Sequence, residues 1–174
     1  MTGELSKRWY YEVNDHCRML AEKHNVPLVK VAGIMSVLSP QVTFVQNVKS
    51  LEAFLETGGN CTVSTFSKQK VKADRIYALD NPTEDDVKLV IGKGLKTLSF
   101  FENIFRPESS LAVTIDLWQV RWAKSKRLMR VNDTLTDKRY RVIAESIARR
   151  AKKLDMMPHE YQALTWVEIR GKAF

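Results

Sequence analysis

Cysteine, glycine and proline are all scarce in this sequence, and each shortage removes a class of protein. Two cysteines, Cys17 and Cys61, in 174 residues fit neither a metal-ligand spacing nor a disulfide framework. A stapled secreted scaffold is excluded, and reduced thiols in a cytoplasmic protein are expected, with Cys17 in the core. Seven glycines and five prolines leave little room for β-turns, so few strands are expected. No apolar run reaches the ~20 residues of a membrane-spanning helix. The first residues do not lead into the apolar core of a signal peptide, so no membrane partner is expected. The three histidines, His16, His24 and His159, show no metal spacing with a carboxylate or cysteine, so no catalytic metal and no cofactor is expected.

What remains is helix. Apolar residues recur every three or four positions in an all-α pattern. The first helix runs over 4–24, with Leu5, Trp9, Val13, Cys17 and Leu20 on one face; Trp9 reads as core, with Tyr10 and Tyr11 flanking it. Pro27 fits the first turn of a second helix, 27–38. A third starts near 41 and ends at Gly58-Gly59-Asn60. Ser67 is the expected cap of a fourth, 68–79, which carries Lys68, Lys70, Lys72 and Arg75. Helices over 84–91 and 95–105 follow. A short extended piece, Leu111 to Ile115, leads to Asp116, which is placed to cap a seventh helix. The loop 126–136 holds Lys126, Arg127 and Arg130. An eighth helix spans 137–154, and Pro158 opens a ninth ending near Gly171. There is no repeat or linker, so a monomeric, compact helical domain is expected. The net charge of +8 favours a polyanionic partner.

Val90-Ile91-Gly92-Lys93-Gly94-Leu95-Lys96-Thr97 is the most informative stretch. Two glycines join the fifth and sixth helices in a tight turn, and glycine lets backbone approach a ligand closely. The first amides of the sixth helix form an anion site. Lys96 stands in that first turn, and a nucleic-acid phosphate is the natural anion for a basic chain. An ordinary helix–helix turn with a solvated lysine has the same sequence appearance. The stretch is not a P-loop, because no strand precedes it and the spacing differs.

Three features occur in order: Leu38-Ser39-Pro40-Gln41, the Gly92–Thr97 turn, and Val113-Thr114-Ile115-Asp116. Together with the basic helix over 68–79 and the closing segment 157–166, this set resembles the helix-hairpin-helix DNA glycosylase superfamily, which includes endonuclease III and 8-oxoguanine DNA glycosylase. The sequence departs from the pattern in three ways. Val90-Ile91 stands where Leu-Pro is usual. Trp118 occupies the position of a frequent histidine. The four cysteines of an iron-sulfur cluster are absent.

The resemblance implies a two-lobed helical bundle that acts on duplex DNA, flipping out and excising a damaged or modified base. Gly92, Lys93, Gly94 and Thr97 would hold phosphate, helped by Lys70 and Lys72. The carbonyls of Ile91 and Gly94 would face a structural Na+ or K+. Gln41 would enter the duplex or face the base left behind. Asp116 would stabilise positive charge on the sugar as the N-glycosidic bond breaks, or activate the nucleophile; a plain N-cap aspartate is the alternative. Lys96 would attack C1′ as a neutral amine and form a Schiff base, giving β-lyase activity; a phosphate-binding lysine is the alternative. Trp118 and Trp122, or Trp9 and Tyr10, are candidates to stack on the flipped base, and core packing is the better explanation of each. Two further functions share these features: a modified-base processing enzyme of phage DNA hypermodification, and a non-catalytic DNA-binding module.

Overall fold

The structure, a computed structural model, describes residues 7–170. Among them every regular element is a helix, in the order α1 (Trp9–His24), α2 (Leu28–Val37), α3 (Phe44–Glu56), α4 (Ser67–Ala78), α5 (Glu84–Ile91), α6 (Leu95–Phe105), α7 (Leu117–Ser125), α8 (Asp137–Lys153) and α9 (Pro158–Arg170). The all-α expectation holds. The chain divides into two compact units: a middle unit, Val13–Phe101, and a terminal unit, Met1–Glu12 with Glu102–Phe174. The expected start of the first helix at residue 4, with Leu5, and the expected end of the last at Gly171 lie outside the described residues.

The middle unit is built around α2. Val29 and every residue from Val31 to Val37 are buried, as a helix apolar on all sides must be. It packs against α3, α4 and α5. Gly33 makes the approach of α5 possible: a Cβ there would stand 2.5 Å from Val87 Cγ1. Cys17 is fully buried, its thiol 3.5 Å from Met35 Sδ, and burial pushes that thiol up to about 12.

Local signals set the ends. Thr83 and Asp86 form a capping box that starts α5, and Thr43 and Gln46 form one that starts α3. That box delays α3 to Phe44, so Gln41 lies in the preceding turn rather than in the helix. Two other details differ from the sequence reading. Ser67 is the first residue of α4 and Phe66 occupies the N-cap, with no side-chain cap. Pro27 is the N-cap of α2 rather than part of its first turn.

In the terminal unit α9 packs against α7 and α8. The tyrosine pair does not simply flank Trp9: Tyr10 is fully buried, more so than Trp9 itself. Burial holds its phenol well above the usual range.

Candidate functional site: a glycine turn and a capped aspartate

Helix α5 stops because Gly92 takes φ 80°, a conformation open to glycine and costly for residues with a Cβ. Its N–H bonds the Lys88 carbonyl at 2.9 Å, and the Gly94 carbonyl accepts from the Leu98 amide at 3.0 Å, starting α6. Lys93, Gly94 and Lys96 are exposed, and Thr97 is half-buried. Gly94 has no positive φ, and a Cβ there would meet nothing nearer than Thr97 Oγ1 at 3.7 Å. Bulk at Gly94 would therefore project from the surface rather than disturb the turn.

Lys72 reaches into this turn from α4. Its Nζ donates to the Ile91 carbonyl at 2.6 Å, and it is the atom that a Cβ on Gly92 would face, at 3.7 Å. The last carbonyls of a helix carry its negative dipole end, so an ammonium is favoured there. Ile91 is one of the two carbonyls expected to face a monovalent cation, and the positive charge beside it belongs to Lys72. Lys70 is engaged elsewhere on α4: its Nζ pairs with Asp74 at 2.6 Å and lies 5.0 Å from the centre of the Phe54 ring. Gln41 is exposed at φ 59°. The Pro40 carbonyl beside it accepts from Thr65 Oγ1 at 2.8 Å, which fixes the turn that carries it.

Asp116 belongs to the terminal unit. Its Oδ1 accepts from the Trp118 amide at 2.7 Å and the Gln119 amide at 3.1 Å, and Gln119 Oε1 accepts from the Asp116 amide at 3.3 Å. It is thus an N-cap with a reciprocal capping box. Trp118 is half-buried, with the Arg121 guanidinium 4.4 Å from the centre of its ring. Trp122 is fully buried and donates from Nε1 to Glu168 at 3.0 Å. A ring with no open face cannot stack on a base, so Trp122 is a core residue here, as are Trp9 and Tyr10.

Comparison with known families adds one result. Residues 3–173 match a family of unknown function, DUF7178. The chain belongs to this family. No curated protein and no solved structure matches it. No group of three or more His, Cys, Asp or Glu side chains able to hold a metal occurs among the described residues, and no helix among them is long and apolar enough to cross a membrane.

The residues that sequence reasoning missed are those that place Asp116. The segment before it is extended but has no neighbouring strand; side chains satisfy its backbone instead. The Thr114 amide donates to Gln162 Oε1 at 2.9 Å, the Ile115 amide to Tyr140 Oη at 3.1 Å, and Tyr140 Oη donates to the Val113 carbonyl at 2.8 Å. Gln162 Nε2 then donates to Tyr10 Oη at 3.0 Å. Asn103 Nδ2 donates to Thr114 Oγ1 at 3.2 Å, and its Oδ1 accepts from Ser110 at 2.7 Å. Buried backbone polar groups need such partners, and a satisfied network fixes one geometry. The only sequence signal was a set of polar residues, Asn103, Gln119, Gln162 and Thr165, at core-facing positions.

Proposed function

We propose that this protein is a DNA base-processing enzyme of the helix-hairpin-helix glycosylase type. It holds duplex DNA through the α5–α6 turn and cleaves the N-glycosidic bond of a damaged or modified base. The observation that carries this reading is the turn: Gly92 at φ 80°, Lys72 on the Ile91 carbonyl, and Lys93, Gly94 and Lys96 exposed at the start of α6. The early amides of a helix lack partners within it, so a phosphate oxygen completes them. Such contacts position the duplex without reading its sequence.

A base must leave the stack before its glycosidic bond can be reached, at a cost of a few kcal/mol. Gln41, exposed and held in a left-handed turn, supports a role at the space left behind, because strained exposed residues cluster at functional sites. Trp118, backed by Arg121, offers the stacking surface beside Asp116. The Asp116 carboxylate stabilises the positive sugar as the base departs. In the lyase branch the neutral Lys96 amine bonds to C1′ and the base leaves with the electron pair of the N-glycosidic bond, taking up the proton the amine gives up. The C1′–O4′ bond then breaks as O4′ takes a proton from water, and the opened sugar is held as a protonated Schiff base. Lys72 positions the turn, and Lys70, paired with Asp74, contributes less to phosphate binding than the exposed lysines.

One observation favours a second reading, a DNA-binding module without catalysis: the hydrogen bonds of Asp116 Oδ1 account for that residue as a helix cap. Borohydride trapping on a duplex with one abasic site, using wild type and Lys96→Ala, is run beside base release from duplexes carrying single damaged or modified bases, using wild type and Asp116→Asn. Asparagine caps a helix as well as aspartate, so Asp116→Asn keeps the fold. Base release that Asp116→Asn abolishes while DNA binding persists supports the glycosylase, and an adduct that needs Lys96 adds the lyase step. Salt-dependent binding with neither adduct nor release overturns catalysis and leaves the binding module. A base of changed mass on an intact glycosidic bond overturns excision in favour of base modification.

A further inference from the structure

The positive charge of this chain is not spread evenly. Residues 117–155 carry twelve lysines and arginines against four aspartates and glutamates, a net +8 that equals the charge of the whole chain. The rest of the sequence, the α5–α6 turn and α4 included, is balanced. The excess lies on α7, the loop after it, and α8.

That loop forms a concavity of about 510 Å³ lined by Lys124, Arg127, Arg130 and Asp133, with Met129 and Val131. Its shape is fixed by its own polar contacts. Lys124 Nζ donates to the Val131 carbonyl at 2.6 Å. The Arg130 amide donates to Asp133 Oδ2 at 3.1 Å, and Asp133 Oδ1 pairs with Arg139 at 2.9 Å. The single carboxylate in the lining is therefore already neutralised. Arg127 and Arg130 are exposed, and neither side chain has an ion pair among the described residues.

The backbone at Arg127 points the same way. Among the described residues, four helices end with the same pair of hydrogen bonds, from the residue in the left-handed conformation and from the one after it, back into the last turn. The left-handed residues are Asn25, Gly58, Arg127 and Asp155. Glycine, asparagine and aspartate tolerate that conformation; arginine does not. Helix α7 thus ends on a residue that the turn itself does not favour, and that residue is one of the two exposed arginines lining the concavity.

We propose that this concavity is a second binding site for the phosphodiester backbone of DNA, distinct from the glycine turn. The identity of the polymer rests on the DNA reading above; the site does not. Guanidinium groups match phosphate in a bidentate fork. On α8, Lys138, Arg141, Arg149 and Lys152 recur on one exposed face over about 21 Å of helix, with only Glu145 among them, so the positive field extends beyond the concavity. A membrane surface fits less well. The apolar face of α8, with Ile143, Ile147 and Ala151, is buried and so is not available to insert between lipids.

The test is the salt dependence of binding to a short fluorescein-labelled DNA duplex, followed by fluorescence anisotropy. Wild type is compared with Arg127→Gly/Arg130→Gln and with the turn variant Lys93→Ala/Lys96→Ala. Glycine suits the left-handed position, so the first variant keeps or raises the thermal midpoint and its loss of binding is not a loss of fold. The expected result is a slope of log K against log salt that falls by about 0.9 for each contact removed, with weaker binding on every sequence. An unchanged slope and affinity in Arg127→Gly/Arg130→Gln, with a loss in Lys93→Ala/Lys96→Ala, overturns this site and leaves the DNA reading of the turn intact. The reverse pattern upholds this site and removes the turn from DNA binding. A wild type that binds no DNA overturns both. Loss of binding to phosphatidylserine vesicles with DNA binding unchanged assigns the concavity to a lipid surface and overturns the proposal.

Discussion

The two units fill their interiors differently: both bury apolar side chains, and the terminal unit adds a connected set of buried polar ones. The middle unit encloses α2, where Val29 and all residues from Val31 to Val37 are buried and the closest approach is set by the missing side chain of Gly33. The centre of the terminal unit is polar: Asn103, Thr114, Gln119, Gln162, Thr165 and His159 are all buried. An apolar interior holds helices by area and shape. A polar one holds an extended segment that has no neighbouring strand, and so can present Asp116 at a fixed point. The difference teaches that the middle unit exposes backbone at the glycine turn, whereas the terminal unit holds a side chain, Asp116, in place with other side chains.

The sharpest way to break this comparison is Gln162→Leu. It leaves the Thr114 amide without the acceptor it now has and removes one hydrogen bond of the Tyr10 hydroxyl, and an orphaned buried group costs about 1–3 kcal/mol. A loss of about 1–3 kcal/mol in denaturant unfolding is expected; a loss under 1 kcal/mol would mean that the network is decoration. Next is Gly33→Ala. The added methyl would lie 2.5 Å from Val87 Cγ1, and overpacking of this kind costs about 1–3 kcal/mol. A stabilised Gly33→Ala, the usual result for glycine inside a helix, would show that the α2–α5 contact yields easily.

The smallest effect concerns acid. His159 is buried with Nε2 2.7 Å from the Pro107 carbonyl. A carbonyl can only accept, so Nε2 carries a proton. Burial lowers its pKa below the ordinary 6.5. Below pH 6.5 the unfolded chain therefore binds a proton that the folded chain resists, and stability falls as pH drops from 6.5 through the lower folded value. Unfolding of wild type and His159→Phe at a series of pH values checks this. The variant should lack this part of the slope, and an identical slope in both would locate the acid sensitivity elsewhere.

Legibility in the sequence followed the range of the interactions. The bounds of α5 and α6 were readable because Thr83 and Asp86 lie three residues apart and Gly92 closes the helix they open. Asp116 was readable as a cap for the same reason. The start of α3 was misread by three residues because Gln41 was credited to the helix, while the competing box of Thr43 and Gln46 sets the end. Tyr140 gave no signal as a positioning residue and Gln162 only that of a polar residue at a core-facing position, since the amides they receive are 25 and 48 positions away in sequence. Trp118 and Trp122 are four positions apart on the same helix, and the packing of α8 and α9, through Arg150, Tyr161 and Glu168, separates the enclosed ring from the half-buried one. Arg127 was visible as a charge but not as a left-handed residue, because nothing around it in sequence announces that conformation.

Lys72 has one more consequence. Its ammonium is carried to the Ile91 carbonyl by the chain itself, and so is present there at an effective concentration that no dissolved ion matches. A charge that cannot be diluted, exchanged or chelated makes the geometry of the turn independent of which monovalent salt surrounds the protein. Replacing sodium by potassium, or either by a bulky organic cation, is expected to leave the α5 terminus neutralised.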